Sequence, residues 1–316
     1  MHEAEARGER VAVVGAGRVG TGLAVALHRA GVEVIAVVDA QLARARRCAA
    51  LSSAASVSSC PADLPPSVSY VIVAVPDDAL PQAVAGMASS AALRSGVAVA
   101  HTCGVLASTV FAPLRTKGVA IASMHPIMTF SGGEDDWQRW KGTYVSLEGD
   151  EDAVRRAIIM LRRLEAIPVE LPAAHKVPYH VACVLVSNYV VAVHASAVAL
   201  LARLGLDEET ATRMLAPLLS QTARNLRAQG SAGALTGPIV RGDLHTVEQH
   251  LSALQDQPDL AAAYAALGRV CVRIARQQNA TNPESLRAID DLLARYLSGQ
   301  SPGKATVEER KADPSS

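Results

Sequence analysis

The first half of the chain consists of short, unbroken apolar runs separated by helical or turn-rich stretches. Residues 10–14 form a β-branched run that ends in Gly15, Ala16, Gly17, Arg18, Val19 and Gly20. An alanine-rich pattern at helical spacing follows to Arg29, then Gly31, then a second apolar run over 32–38 that stops at Asp39. Strand, glycine turn, helix and strand within about thirty residues make one βαβ unit. Further apolar runs lie at 70–75, 97–100 and 119–122. They are continuous rather than alternating, as expected of parallel strands buried on both faces. Residues 143–147 and 167–171 predict two more strands, with a helix over 151–165 between them.

The pattern changes at Pro172. Residues 177–204, 208–229, 246–254, 258–278 and 282–297 all read as helices, and nothing there resembles a strand of similar quality. The expected fold is therefore α/β: an N-terminal Rossmann doubly wound sheet over 1–171, followed by an all-helical domain over 172–298. From 299 to 316 the chain is rich in Gly, Ser, Pro and charge, which predicts a disordered tail. A length of 316 residues suits two domains.

Composition narrows the function. Lys+Arg and Asp+Glu are both 30, so the chain carries no net charge and lacks the basic footprint of a nucleic-acid binder. Aromatics are 3%, too few for base-stacking platforms. The five scattered cysteines form no CxxC pair and read as reduced thiols. Residues 1–10 are polar and carry no signal-like apolar core, so a cytoplasmic protein is expected. The stretch 177–202 is long and apolar enough to span a bilayer. His180, Ser187, Asn188, His194 and Ser196 interrupt it, however, so no membrane span is expected and the stretch reads as a soluble core helix.

The motif over 15–20 follows a strand and opens a helix, the context in which GxGxxG signifies a dinucleotide site. Gly15 permits the tight turn, Gly17 lets the backbone approach a pyrophosphate, and Gly20 lets helix and strand pack closely. The helix N-terminus offers free N–H groups to the phosphates. Asp39 ends the second strand, where a carboxylate can hold the adenosine ribose. That favours NAD over NADP, although Arg44, Arg46 and Arg47 follow closely and could receive a 2′-phosphate. Val75 and Pro76 are expected to line the crevice. Asp77 and Asp78 read more readily as helix N-caps than as catalytic acids.

His101 and His125 each follow a strand at its carboxyl end, where imidazole could move the proton that accompanies hydride transfer. For His101, satisfaction by loop backbone is an equal reading. Cys103 has no base nearby in sequence and reads as structural. The 30 cations divide into 25 Arg and 5 Lys. Of these, Lys176 is the one formal charge between Glu170 and Arg203. A lysine entering an apolar core is expensive unless paired or functional, and desolvation turns it toward acid–base work. Snorkelling to solvent from the helix end is the competing reading. His180 lies one turn on, on the same face, with Asn188 beside that stripe. Arg241, in a glycine-punctuated loop, is a candidate carboxylate clamp. Histidines five residues apart split around a helix, so no metal site is expected.

Together, residues 15–20, Val75 to Asp78, His101 to Gly104, His125-Pro126 with Thr129-Phe130, His175-Lys176 with Tyr179-His180, Ser187 to Tyr189 and Leu235 to Asp243 resemble a known family. These are the Rossmann-like proteins with a C-terminal domain of unknown function numbered 2520. The resemblance implies distant kinship with β-hydroxyacid dehydrogenases, 6-phosphogluconate dehydrogenase, ketopantoate reductase, pyrroline-5-carboxylate reductase and prephenate dehydrogenase. It further implies a 6-phosphogluconate-dehydrogenase-like helical domain, a homodimer formed through it, and closure over the nicotinamide. Lys176 matches the lysine of β-hydroxyacid dehydrogenases, but His180 stands where asparagine would follow. His125-Pro126 resembles the His-Pro-Met loop of prephenate dehydrogenases.

The expected function is an NAD(P)-dependent oxidoreductase acting on a small oxo or hydroxy carboxylic acid. Lys176, with His180 or His125, would handle the proton, while Asn188, Arg241 and His101 would hold the substrate. An imine reductase of the pyrroline-carboxylate kind and a non-catalytic NAD(P)-binding sensor are the alternatives.

Overall fold

The structure, a computed structural model, describes residues 8–278 and 282–298. The expected tail from 299 onward lies outside the described residues. Eight strands, β1 (Arg10–Val14), β2 (Glu33–Val38), β3 (Ser56–Ser58), β4 (Tyr70–Val73), β5 (Ala98–His101), β6 (Ala120–Pro126), β7 (Tyr144–Gly149) and β8 (Ile167–Glu170), make one sheet. Their order is β3-β2-β1-β4-β5-β6-β7-β8. Neighbours pair in parallel except β6 and β7, which run antiparallel. The first six strands form the doubly wound arrangement, in which ligands bind outside the carboxyl ends near the point where strand order reverses.

Helices α1 (Arg18–Arg29), α2 (Leu42–Ser52), α3 (Leu80–Ala88) and α4 (Glu151–Arg163) connect the strands. β1 alternates its side chains between two cores, with Val11 and Val13 in one and Ala12 and Val14 in the other. That two-sided burial is why the apolar runs are unbroken. Tyr70, Trp140 and Leu147 belong to the first core, Met87, Phe111 and Ile121 to the second.

No strand follows β8 among the described residues. The helices there are α5 (Lys176–Val186), α6 (Asn188–Ala202), α7 (Glu208–Ala234), α8 (Pro238–Arg241), α9 (Leu244–Ala253), α10 (Pro258–Gln278) and α11 (Pro283–Leu297). Two compact units divide at Val190 and Val191, so α5 belongs with the sheet. Within the second unit, Ile239, Val247, Val272, Ile289 and Leu293 form the core. Asp207 and Asp243 cap α7 and α9 by accepting the N–H groups of Thr210 and Thr246.

Three expectations need correction. The single helix over 177–204 is two helices, broken at Ser187, whose ψ of −79° leaves the helical range. It is also no core helix: Val181, Leu185, Val186 and Val191 are all exposed. Taken as one stretch, Ala173–Ala202 is long and apolar enough to cross a membrane by length and composition, but it carries the break at Ser187 and the polar residues noted above. Finally, β6 runs on through His125 and Pro126 instead of ending at residue 122. The antiparallel β7 extends it past the point where β5 stops.

Candidate active site

At the dinucleotide end, the three glycines of the motif have separable reasons. A Cβ on Gly15 would collide with the Ala74 carbonyl, and φ there is +99°. A Cβ on Gly20 would collide with the Gly15 carbonyl oxygen. A Cβ on Gly17 would meet no protein atom within 4 Å. Packing of the chain on itself therefore does not require Gly17 to be glycine, and the bare backbone there is open to the close approach of a ligand.

Gly15 and Gly17 open on a cavity of about 580 Å³ that is also lined by Asp39, Arg44, Val75 and Pro76. Asp39 accepts the Ala16 N–H at 2.7 Å through Oδ2 and the Gln41 N–H at 2.8 Å through Oδ1. The carboxylate thus braces the glycine loop while facing the cavity. Of the three arginines that follow, Arg44 lines it. Arg18 crosses over Gly132, in a loop that the buried Asp136 ties down through Ser131 and the Gly132 N–H. A loop donor set at a helix N-terminus with a carboxylate beyond it fits the pyrophosphate and ribose of a dinucleotide.

The second cluster follows from strand register. Residues two apart on a strand share a face, and residues opposite in an antiparallel pair do too. Ser123 stands opposite Glu148, and His125 opposite Ser146. These four make a polar patch on one face of β6 and β7, onto which the first turn of α5 sets Lys176, Tyr179 and His180. Lys176 Nζ donates to Ser123 Oγ at 2.6 Å and to the Cys103 carbonyl at 3.3 Å. Glu148, which also accepts from the Ser108 N–H and hydroxyl, is the leading charge that opposes the desolvation of the lysine.

Burial sorts these groups. Lys176 is 3% exposed, so it neither snorkels nor presents its amine to the crevice. Desolvation pulls its pKa down from the ordinary lysine value. His101 is 1% exposed. Its Nε2–H donates to the Ala107 carbonyl at 3.2 Å and its Nδ1 accepts the Cys103 N–H at 3.2 Å. Backbone satisfies both ring nitrogens, leaving none for a substrate, contrary to its expected binding role. Burial holds its pKa down to about 4.

His125 is half-buried, and its Nδ1 lies 2.8 Å from the Tyr179 hydroxyl. Burial, then the Lys176 charge, bring His125 to about 4. Burial also raises the Tyr179 phenol to about 12, with Ser146 and Cys183 beside it. The His125 and His180 rings meet edge to face at 5.8 Å. Both rest on Gly104: a Cβ there would overlap the His180 ring and lie 2.9 Å from His125 Nε2 and 3.0 Å from His180 Nε2.

Asp77 is not an N-cap. It opens a three-residue 3₁₀ turn with no capping side-chain bond, and its carboxylate lies near the Cys103 thiol, the His101 and His125 imidazoles and the Lys176 amine. Asn188 is exposed at the start of α6. In the second unit, Arg241 is also exposed and lies 3.9 Å from Asp243. The sequence singled out Tyr179 and Gly104 only as parts of motifs, without a role, and carried no sign of Ser123, Ser146 or Glu148. The adjacency of Tyr179 to His180 one turn after Lys176 was the signal available for its role.

Two family models match the chain: a Rossmann-like domain over residues 3–126 and DUF2520, a domain of unknown function, over 143–271. The chain carries a Rossmann-like domain and a DUF2520 domain. The contact between His125 and Tyr179 joins one residue from each matched segment. No curated protein matches the chain in sequence. Among solved structures, a Thermotoga maritima protein is 22% identical with a TM-score of 0.68, covering 85% of this chain and 99% of its own. A Bacteroides fragilis protein, provisionally called an NADP oxidoreductase, is 24% identical with a TM-score of 0.63, covering 86% and 98%. An imine reductase variant from Myxococcus stipitatus, solved with NAD+, is 16% identical with a TM-score of 0.58, covering 92% and 99%. At these identities the likeness is one of fold.

Proposed function

We propose that the protein is an NAD(P)-dependent oxidoreductase acting on a small oxo or hydroxy carboxylic acid. The observation that carries this reading is the open space at Gly17 beside the Asp39-lined cavity, on a sheet whose carboxyl ends also bear the polar cluster. Residues 15–20 would hold the pyrophosphate, Asp39 the adenosine ribose, and Val75 and Pro76 the crevice wall. The Asp39 carboxylate favours NAD, since it repels a 2′-phosphate. When bound, the nicotinamide supplies or accepts the hydride. The half-buried His125 and His180 would handle the proton, with Lys176 beneath them. Asn188 would hold the hydroxyl of the substrate.

One observation favours a second reading, the reduction of C=N. The exposed Asp77 carboxylate faces the cluster and would welcome an iminium cation.

A second copy of the chain is the proposed partner, seated on the exposed apolar side chains of α5, Val181 and Leu185. Exposed apolar side chains favour association, and zero net charge does not oppose it.

Thermal-shift titration with NADH and NADPH, followed by cofactor consumption with panels of oxo acids and cyclic imines, tests the reading. Stabilisation by NADH and its consumption with an oxo acid are expected. Absence of binding by either cofactor would overturn the assignment, and binding without turnover would favour the sensor alternative.

A further inference from the structure

The geometry points to a proton relay that runs from His180 through His125 to the hydroxyl of Tyr179, which hands the proton to the substrate, with Lys176 as a positioning residue beneath it. This rests on the oxidoreductase reading above and assigns its proton path.

Elimination and contact carry it together. Lys176 is sealed under the cluster by Ser123 and the Cys103 carbonyl, and both nitrogens of His101 are taken by backbone. His125, Tyr179, His180 and Glu148 are half-buried titratable groups of the cluster, and both Glu148 oxygens are engaged by the Ser108 N–H and hydroxyl. His125 Nδ1 meets the Tyr179 hydroxyl at 2.8 Å, while its Nε2 and that of His180 converge on one point above Gly104. The glycine keeps the space between the two imidazoles clear. A histidine neutral near pH 7 can pass a proton through itself without storing one: a proton arrives at one nitrogen as another leaves from the second.

In the reducing direction, the carbonyl π pair moves onto oxygen as the hydride reaches carbon. That oxygen takes the Tyr179 hydroxyl proton. The phenolate takes the proton on His125 Nδ1, and His125 Nε2 is reprotonated from the His180 side, ultimately by solvent. One hydride from reduced nicotinamide and one solvent proton convert C=O to CH–OH, and the reverse path serves oxidation. His125 faces Lys176, Tyr179 and His180 from α5, Asp77 from the turn after β4, and His101 from β5. Burial keeps the imidazole neutral, and the positive charge of Lys176 adds to that.

The test uses the full-length protein and the variants Tyr179→Phe and Lys176→Met. Histidine ring signals are followed by NMR against pH, NADH affinity by fluorescence, and kcat and KM with the most active oxo acid of the panel. Tyr179→Phe should displace the His125 signal, lower kcat about a hundredfold or more, and leave the NADH Kd within about twofold, since it removes one hydroxyl outside the cofactor cavity. Lys176→Met should raise the His125 titration midpoint from about 4. An unmoved His125 signal in Tyr179→Phe, or a wild-type kcat in that variant, would overturn the relay. An unmoved midpoint in Lys176→Met would overturn the role of the lysine. Failure of the oxidoreductase reading registers separately, as wild-type protein that binds neither cofactor. If the wild type binds NADH but turns over nothing in the panel, the His125 signal in Tyr179→Phe decides.

Discussion

Tyr179 and His125, 54 residues apart in the chain, meet hydroxyl to Nδ1 at 2.8 Å, one from the first turn of α5 and one from β6. The contact exists because β7 returns antiparallel against β6 and leaves a polar patch for that turn to cover. The resulting site contains an accessible phenol–imidazole pair above a sealed lysine, and the following predictions depend on that order of burial.

Activity should have an acid limb set by His125. Only the neutral imidazole relays, so kcat should fall as pH drops toward about 4 and hold flat through neutrality on that side. Lys176→Met should move the limb to higher pH. A pH–rate profile of both proteins checks this.

Stability should also fall on the acid side. His101 and His125 have folded pKa values of about 4, below the usual 6.5. Protons therefore bind the unfolded chain first, and stability present above 6.5 is lost as pH falls through 4. The slope is about 1.4 kcal/mol per pH unit for each histidine while it is protonated in the unfolded chain only. Denaturation at pH 7, 6 and 5 should reveal it, and His101→Gln should flatten it.

Gly17→Ala and Gly20→Ala should separate ligand from packing. The first finds open space in the protein, so the melting temperature of the free protein should stay within a few degrees while NADH affinity falls about tenfold or more. The second collides with the Gly15 carbonyl and should destabilise the fold itself. Thermal shift with and without NADH distinguishes them.

Leu185→Glu should turn a dimer into a monomer. The residue is exposed in the single chain, with Val181 one turn before it. Burying an unpaired carboxylate in an apolar interface is strongly unfavourable. Light scattering during gel filtration gives the mass directly.

The legible parts of the molecule were the local ones. The glycine motif, its flanking strands and Asp39 fall within about thirty residues, where a βαβ unit has a pattern of its own. Most of the later helices were readable from their spacing, but the break at Ser187 and the short helix Pro238–Arg241 were not. His125 was expected just past the carboxyl end of a strand rather than within one, because the support that β7 lends is not local. Ser146 and Glu148 join the site only through antiparallel register, which no single segment encodes. Lys176 drew attention as a solitary charge, yet sequence could not say that Ser123 and a backbone carbonyl close over it. The apolar stretch that follows suggested a buried core helix. Its valines and leucines, Val181, Leu185 and Val186 among them, are instead exposed.

The central claim is that the Gly17 cradle and the polar cluster serve one hydride transfer. Incubating the wild-type protein with NADH deuterated at nicotinamide C4, on the transferable face, together with the oxo-acid panel, tests it most directly by mass spectrometry of the products. The account predicts one deuterium on the former carbonyl carbon of a hydroxy acid. Tight NADH binding with no labelled product from any oxo acid would contradict it.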